Sequence, residues 1–277
     1  MRIGTLNNRY HALAANLALD IAEASRGRFA ADGFDIFERF DELARWVATV
    51  PDAAYTLFDP GALGPPVPMP RQVFAVGLNY RDHAAESGLS APDVPVVFTK
   101  YPTSITGPSA TVTLPSDYVD WEAELVAVIG ARAQNAKAAD AWSHVAGLTV
   151  GQDLSERRVQ LAGPAPQFSL GKSYPGFGPI GPAIVTLDEI ADVDNLEISC
   201  LLDDEVLQKG RTSDLIFSIP QLVEHISAIC PMLPGDLIFT GTPAGVGGAR
   251  TPNRFLTPGS ALITAIEGIG ELRNRLE

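Results

Sequence analysis

What most constrains this chain is a series of short apolar stretches broken by turn residues. From Arg71 onward they read VFAVG, PVVFTK, ATVTL, ELVAVIG, AIVTL, LEISCLL, DLIFTG and SALITAIEG. Each is about the length of a strand, and Gly/Pro-rich turns separate them. The chain holds 25 glycines and 22 prolines, residues that stop helices and central strands alike. One helix stands out, over Ile219–Ile229. Ser218 is placed as its N-cap, Pro220 lies in its first turn, and Leu222, Val223, Ile226 and Ile229 share a face. Many short strands with few helices predict a β-rich α+β fold, a sandwich, roll or barrel, rather than a doubly wound sheet.

Residues 1–58 differ in texture. Ile36, Phe40, Leu43, Val47 and Val50 recur at helical spacing and predict an amphipathic helix over Asp35–Val50. DPGALGPPVPMP at 59–70 reads as a linker. The expected organisation is a small N-terminal domain at 1–58, that linker, and a main domain at 71–277.

Composition narrows the function. The 277 residues are 46% hydrophobic and 19% charged, with a formal net charge of −13. No basic stripe suits a nucleic acid. No run of about 18 apolar residues suits a membrane span. The polar-interrupted N-terminus lacks a signal peptide's apolar stretch, so a cytoplasmic setting is expected. Cys200 and Cys230 form no CxxC and read as buried, inert thiols.

Chemistry is concentrated in four stretches. In VDWEAELVAVIG, Asp120, Glu122 and Glu124 alternate at the mouth of an apolar strand. Alternate residues of a strand share a face, so the three acids would crowd and repel. A hard divalent cation would relieve that repulsion, and Asp153, after the apolar run Val145–Val150, is a further candidate ligand. Spacing alone leaves Asp120 as well placed as Glu122 and Glu124. In NYRDHAAE, His83 and Glu86 stand one helical turn apart, the pairing that a general base needs. Lys100, Arg157, Arg158 and Lys172 are cations near these stretches, suited to a carboxylate or an enolate. TGTPAGVG permits close backbone approach to a ligand but lacks the Gly-Lys-Ser/Thr of a phosphate loop. His11, His144 and His225 have no partner motif and read as structural or surface residues.

Taken in order from Val73 to Gly270, NYRDHAAE, FTKYPTSITGP, WEAE, QDLSERRVQ, GKSYPGFGPIGP, RTSDLIFSIP and LPGDLIFTGTPAGVG resemble the fumarylacetoacetate hydrolase family. The resemblance implies a mixed β-roll or barrel with a small N-terminal domain, usually dimeric. It implies a divalent metal, Mg²⁺ or Mn²⁺ and in some members Ca²⁺, on Glu122, Glu124 and Asp153, with Asp120 outside the motif. It assigns His83 and Glu86 to water activation and Lys172 to oxyanion support. Lys100, Arg157, Gln160 and Thr242 match positions near the ligand, as does Arg81 in the His83 motif. The stretch after His83, to about Pro95, is expected to act as a lid. Two departures touch the substrate: Arg158 replaces a common acid, and KSYPGF replaces Lys-Ser-Phe-Asp-Thr-Phe.

The reaction implied first is hydrolysis of a carbon–carbon bond in a 2,4-dioxo acid of the acylpyruvate or fumarylpyruvate type. The alternative keeps the same site but decarboxylates oxaloacetate or isomerises an unsaturated 2-oxo or 2-hydroxy diacid. Arg158 then favours a second carboxylate. A binding protein that kept only the scaffold is the non-enzymatic reading. The expected partners are a small oxo acid and a second copy of the chain, with no nucleic acid and no membrane.

Overall fold

The computed structural model describes residues 1–277 except Ser87 and Leu89. Its largest sheet has twelve strands. Its path runs Thr56–Leu57, Leu17–Asp20, Arg9–Ala14, Arg2–Leu6, Gly178–Val185, Val145–Gln152, Ala123–Ile129, Leu237–Phe239, Val73–Gly77, Val96–Thr99. A five-stranded sheet of Glu205–Arg211, Glu197–Leu202, Ala261–Ile266, Gly270–Leu276 and Thr111–Val112 covers one of its faces. Val119–Asp120 pairs separately with Ser155–Glu156. The fold is strand-rich α+β, as expected. Among the described residues no ladder joins the edges of any sheet, so none closes into a barrel.

The central strand Ala123–Ile129 shows why its sequence is continuously apolar. Leu125, Ala127 and Ile129 enter the core shared with the five-stranded sheet, beside Ile198, Leu262 and Leu272. Val126 and Val128 enter the opposite core with Ile184, Phe239, Ile36, Phe37 and Leu43. With helices on one face and a sheet on the other, neither side tolerates polar residues. Fully burying each large aliphatic side chain is worth roughly 1.5–3 kcal/mol.

Residues near the N-terminus extend this sheet. Arg2–Leu6 pairs with Gly178–Val185 at Arg2↔Val185 and Ile3↔Ile184. Asn7 and Asn8, both left-handed (φ 52° and 60°), turn the chain into the next strand, a two-residue hairpin connection that asparagine tolerates. Within 59–70, Leu63–Gly64 adds to the other side of Arg2–Leu6. The helix expected over Asp35–Val50 divides into Asp35–Glu38 and Phe40–Val47 at Arg39. The Arg39 guanidinium lies over the Phe29 ring and donates to Glu42. The helix Ile219–Ser227 ends before Ile229, which is exposed rather than on the buried face. Its Ser218 N–H donates to Gln221 Oε1 at 2.9 Å. No helix among the described residues is long and apolar enough to cross a membrane.

Candidate functional site

The acids meet because two antiparallel strands end together. Ala123 pairs with Gln152, and the Asp153 N–H donates to the Glu122 carbonyl at 2.9 Å. Glu122 and Glu124 lie two residues apart on one strand face, and Asp153 arrives opposite Glu122. Oxygens of the three buried carboxylates all lie within 4.8 Å of one another.

Buried cations hold them. Lys172 Nζ donates to Glu122 Oε2 and Asp153 Oδ2, each at 2.7 Å, and to Ser155 Oγ at 2.8 Å. Lys100 Nζ donates to Asp153 Oδ1 at 2.6 Å and to the Lys172 carbonyl. Arg157 Nη1 reaches Glu122 Oε1 at 2.7 Å. Glu124 has no cation partner among the described residues and accepts one hydrogen bond, from the Gly241 N–H at 2.7 Å.

Asp120 is spent differently. Its carboxylate accepts from the backbone N–H groups of Trp121 (2.8 Å), Gly247 (2.7 Å) and Gly248 (2.7 Å). Arg157 adds Nε at 2.8 Å and Nη2 at 2.7 Å. With both oxygens saturated, Asp120 fastens the Gly-rich loop to the strand and has no capacity left for a metal. Gly247 is required there, since a Cβ would lie 1.8 Å from the Arg254 carbonyl oxygen.

Between Asp120 and Ala123 the ladder is interrupted, and two buried glutamines replace its hydrogen bonds. Gln152 Oε1 accepts from the Glu122 N–H at 2.6 Å, while its amide donates to Thr264 Oγ1 at 2.9 Å. Gln208 Oε1 accepts from the Ala123 N–H at 3.0 Å, while its amide donates to Thr242 Oγ1 and the Pro243 carbonyl, each at 2.8 Å. These positioning residues were not singled out from sequence. Gln152 adjoins Asp153 in QDLS, the one signal that pointed to it.

His83 and Glu86 lie on the helix Arg81–Glu86, which follows the strand Val73–Gly77. Leu78 at the turn is left-handed (φ 56°), strain that its surroundings must hold. The Asn79 amide donates to the carbonyls of Thr240 and Phe217 at 2.7 and 3.0 Å, pinning this turn to the Gly-rich loop. His83 Nδ1 and Glu86 Oε1 lie 2.7 Å apart, and Glu86 Oε2 accepts from the Gly245 N–H at 2.8 Å.

One cavity of about 820 Å³ collects these groups. His83, Glu86, Glu122, Glu124, Arg157, Gln160, Lys172 and Thr242 line it. Phe98, Tyr118, Leu161, Phe168 and Phe255 supply an apolar wall, and Arg250 stands in its rim loop. Sequence reasoning missed the wall and Arg250. The loop that continues past GVG into a cation was the signal available.

Three expected ligand contacts fall elsewhere. Lys100 is fully buried behind Asp153 and does not line the cavity. Arg81 is exposed and reaches only toward the Asp214 and Leu215 carbonyls, at 3.4 and 3.5 Å. Arg158 is exposed, its Cζ 3.4 Å from the Tyr118 ring centroid. On the helix Arg157–Gln160, Arg157 faces the acids and Arg158 necessarily turns away. Of the expected lid, Ser87 and Leu89 lie outside the described residues, and Gly88, Ser90 and Ala91 are exposed. Of the cysteines, Cys200 is buried and Cys230 half-buried.

The electrostatics separate the carboxylates. Burial, followed by the charges of Asp153 and Glu122, raises the Glu124 carboxyl well above its ordinary 4.5. Burial raises Glu122 too, but Lys172, Arg157 and His83 outweigh it, and the net shift is downward. Burial lowers the Lys172 ammonium, yet Asp153 and Glu122 leave it raised. Lys100 is lowered, burial outweighing Asp153. An all-oxygen donor set with one under-compensated carboxylate fits a hard divalent cation such as Mg²⁺ or Mn²⁺.

The chain is similar to known proteins. The model for the fumarylacetoacetate hydrolase C-terminal family matches residues 72–277. Human mitochondrial oxaloacetate tautomerase FAHD2A is 43% identical over 213 residues, 76% of this chain and 68% of that protein. An HpcE-like protein from Mycobacterium smegmatis superposes with a TM-score of 0.93 at 51% identity, over 100% of this chain and 99% of that one. Maleylpyruvate hydrolase from Sphingobium sp. SYK-6, solved with manganese and pyruvate, gives 0.79 at 25% identity, over 100% and 98% of the two chains. The expected cytoplasmic setting is overturned by these relatives, since the human, bovine and rat tautomerases are mitochondrial proteins. The texture of an N-terminus does not by itself report a compartment. The chain belongs to the fumarylacetoacetate hydrolase family.

Proposed function

We propose that this protein isomerises a small 2-oxo acid between its keto and enol forms. The observation that carries this reading is a part-buried His83–Glu86 pair lining the same cavity as Glu122, Glu124 and Lys172. Such an arrangement moves a proton next to a carbonyl held in a positive field. The similarity to oxaloacetate tautomerases favours this reading over the hydrolysis expected first.

Glu122, Glu124 and Asp153 would hold a divalent cation, which when bound supplies Lewis-acid polarisation of the 2-oxo group. His83 takes a proton from C3, and a proton returns to the C2 oxygen, so the balance is one proton moved. Glu86 fixes the imidazole through Nδ1, leaving Nε2 for the substrate. Lys172 spends its three N–H donors on Glu122, Asp153 and Ser155. It therefore aids the enolate by its field rather than by a hydrogen bond. The wall of Phe98, Tyr118 and Phe168 keeps water from competing for the proton.

The test follows the ultraviolet absorbance of enol-oxaloacetate, with chelation and Mg²⁺ or Mn²⁺ add-back. The expected result is metal-restored equilibration, lowered about 10²–10⁴-fold in His83→Ala with metal affinity near that of the wild type. Full activity in His83→Ala would sink the proton-transfer role. Carbon–carbon hydrolysis is the second reading, favoured by the likeness to maleylpyruvate hydrolase. Stoichiometric pyruvate release from an acylpyruvate would establish it instead. The oxo acid and a second copy of the chain remain the partners proposed.

A further inference from the structure

Resting on that reading, we infer that Arg250 binds a remote carboxylate and makes this a site for 2-oxo diacids. The cations lining the cavity divide cleanly. Lys172 is paired with Glu122 and Asp153, and Arg157 with Asp120 and Glu122. The His83 ring is held by Glu86. Arg250 alone among these, within the described residues, has no carboxylate within 4.0 Å.

Arg250 is nevertheless held in place. Its Nη2 donates to the carbonyls of Leu207 and Gly245 at 2.9 and 3.1 Å, and its Cζ lies 5.4 Å from the Trp121 ring centroid. Those contacts occupy one guanidinium nitrogen and leave Nε and Nη1 for a ligand. A planar guanidinium with two free donors suits a carboxylate better than any neutral group. Gly245 also ties Arg250 to the acid–base pair, because its N–H holds Glu86 while its carbonyl holds Arg250. The cavity that Arg250 lines also has an apolar wall, with Tyr118, Leu161 and Phe255. A monoacid would put its uncharged tail beside an unpaired arginine, whereas a diacid supplies the counter-charge. The second carboxylate that the sequence attached to Arg158 is thus assigned to Arg250.

The test titrates calorimetrically, with Mn²⁺ present, oxaloacetate and its 4-methyl ester, which share the 2-oxo acid head. Wild-type protein is expected to bind the diacid about tenfold or more tightly than the ester, the worth of one charge-assisted pair. Arg250→Met should erase that preference by weakening the diacid alone. Arg250→Lys, which keeps a cation and a donor for the Leu207 and Gly245 carbonyls, should retain part of it. Thermal melting of both variants checks the fold. No preference in the wild type overturns the inference, as does equal weakening of both ligands or of neither in the variants. Enol turnover is read in the same samples. A preference that Arg250 controls without any turnover would sink the tautomerase reading and leave the diacid site standing.

Discussion

Asp120 and Glu124 are separated by four positions on one segment, and both are buried. Sequence spacing makes them equivalent. The Asp120 end carries three backbone N–H donors and two arginine nitrogens, whereas the Glu124 end carries a single backbone donor. The first carboxylate is a structural clamp; the second is a charge without enough counter-charge. What separates the two carboxylates is the number of donors aimed at each oxygen, and of these the N–H groups of Gly241, Gly247 and Gly248 come from more than a hundred residues downstream, with Arg157 adding its guanidinium at Asp120.

The contrast can be broken by substitution. Asp120→Asn should cost about 3–5 kcal/mol, because it leaves the buried Arg157 charge without its main partner. Chemical denaturation of the apo protein measures this, and an unaltered midpoint would mean that Asp120 is no clamp. Glu124→Gln should do the reverse. Apo stability should hold or rise, while Mn²⁺ affinity falls about 100-fold or more, roughly 3 kcal/mol, in a calorimetric titration. If both variants lost metal and stability alike, the distinction would collapse.

Smaller effects sharpen it. Gln208→Ala leaves the buried Ala123 N–H unpaired and should cost about 1–3 kcal/mol. Thr242 also loses its amide donor, so KM should rise with it. The pH dependence carries a sign. A carboxyl raised on folding stabilises the folded state below its unfolded value of 4.5 and loses that contribution as pH rises through the folded value. Glu124 therefore tilts apo stability downward above pH 4.5, by at most about 1.4 kcal/mol per pH unit. Glu122, lowered on folding, tilts it the other way: its contribution is present above 4.5 and lost toward acid. Glu124→Gln should remove only the first slope in stability curves taken across pH.

Much of this was legible because strands write their two-residue period into the sequence. The alternation of Asp120, Glu122 and Glu124 marked an acid cluster at the mouth of a strand and the apolar run before Asp153 added a fourth candidate, while the family resemblance chose Glu122, Glu124 and Asp153 among them. The one-turn spacing of His83 and Glu86 marked that pair in the same way. What stayed hidden depends on partners distant in sequence. Nothing around Gln208 announces that its side chain replaces a ladder bond at Ala123. Nothing around Lys100 says that it stops behind Asp153 instead of reaching the cavity. The strand Gly270–Leu276 was missed because its exposed face carries Glu271, Arg273 and Arg275, and Asn274 sits on its buried face. The N-terminal strands went unread although Asn7-Asn8 is a turn signal.

The pairing of Arg2–Leu6 with Gly178–Val185 has a consequence in time. The first of these strands is made well before the second and can fold back on Arg9–Ala14 as a hairpin. On its other edge Leu63–Gly64 covers only Thr5 and Leu6, and the partner of Arg2 and Ile3 follows when residue 185 has been made, about 10–40 s later at ordinary rates of synthesis. Throughout that interval the backbone donors and acceptors of the Arg2–Ile3 end stand open to any strand that meets them. The sheet thus joins an early segment to a much later one, and its path is complete only when Leu237–Phe239 pairs with Ala123–Ile129 and Val73–Gly77.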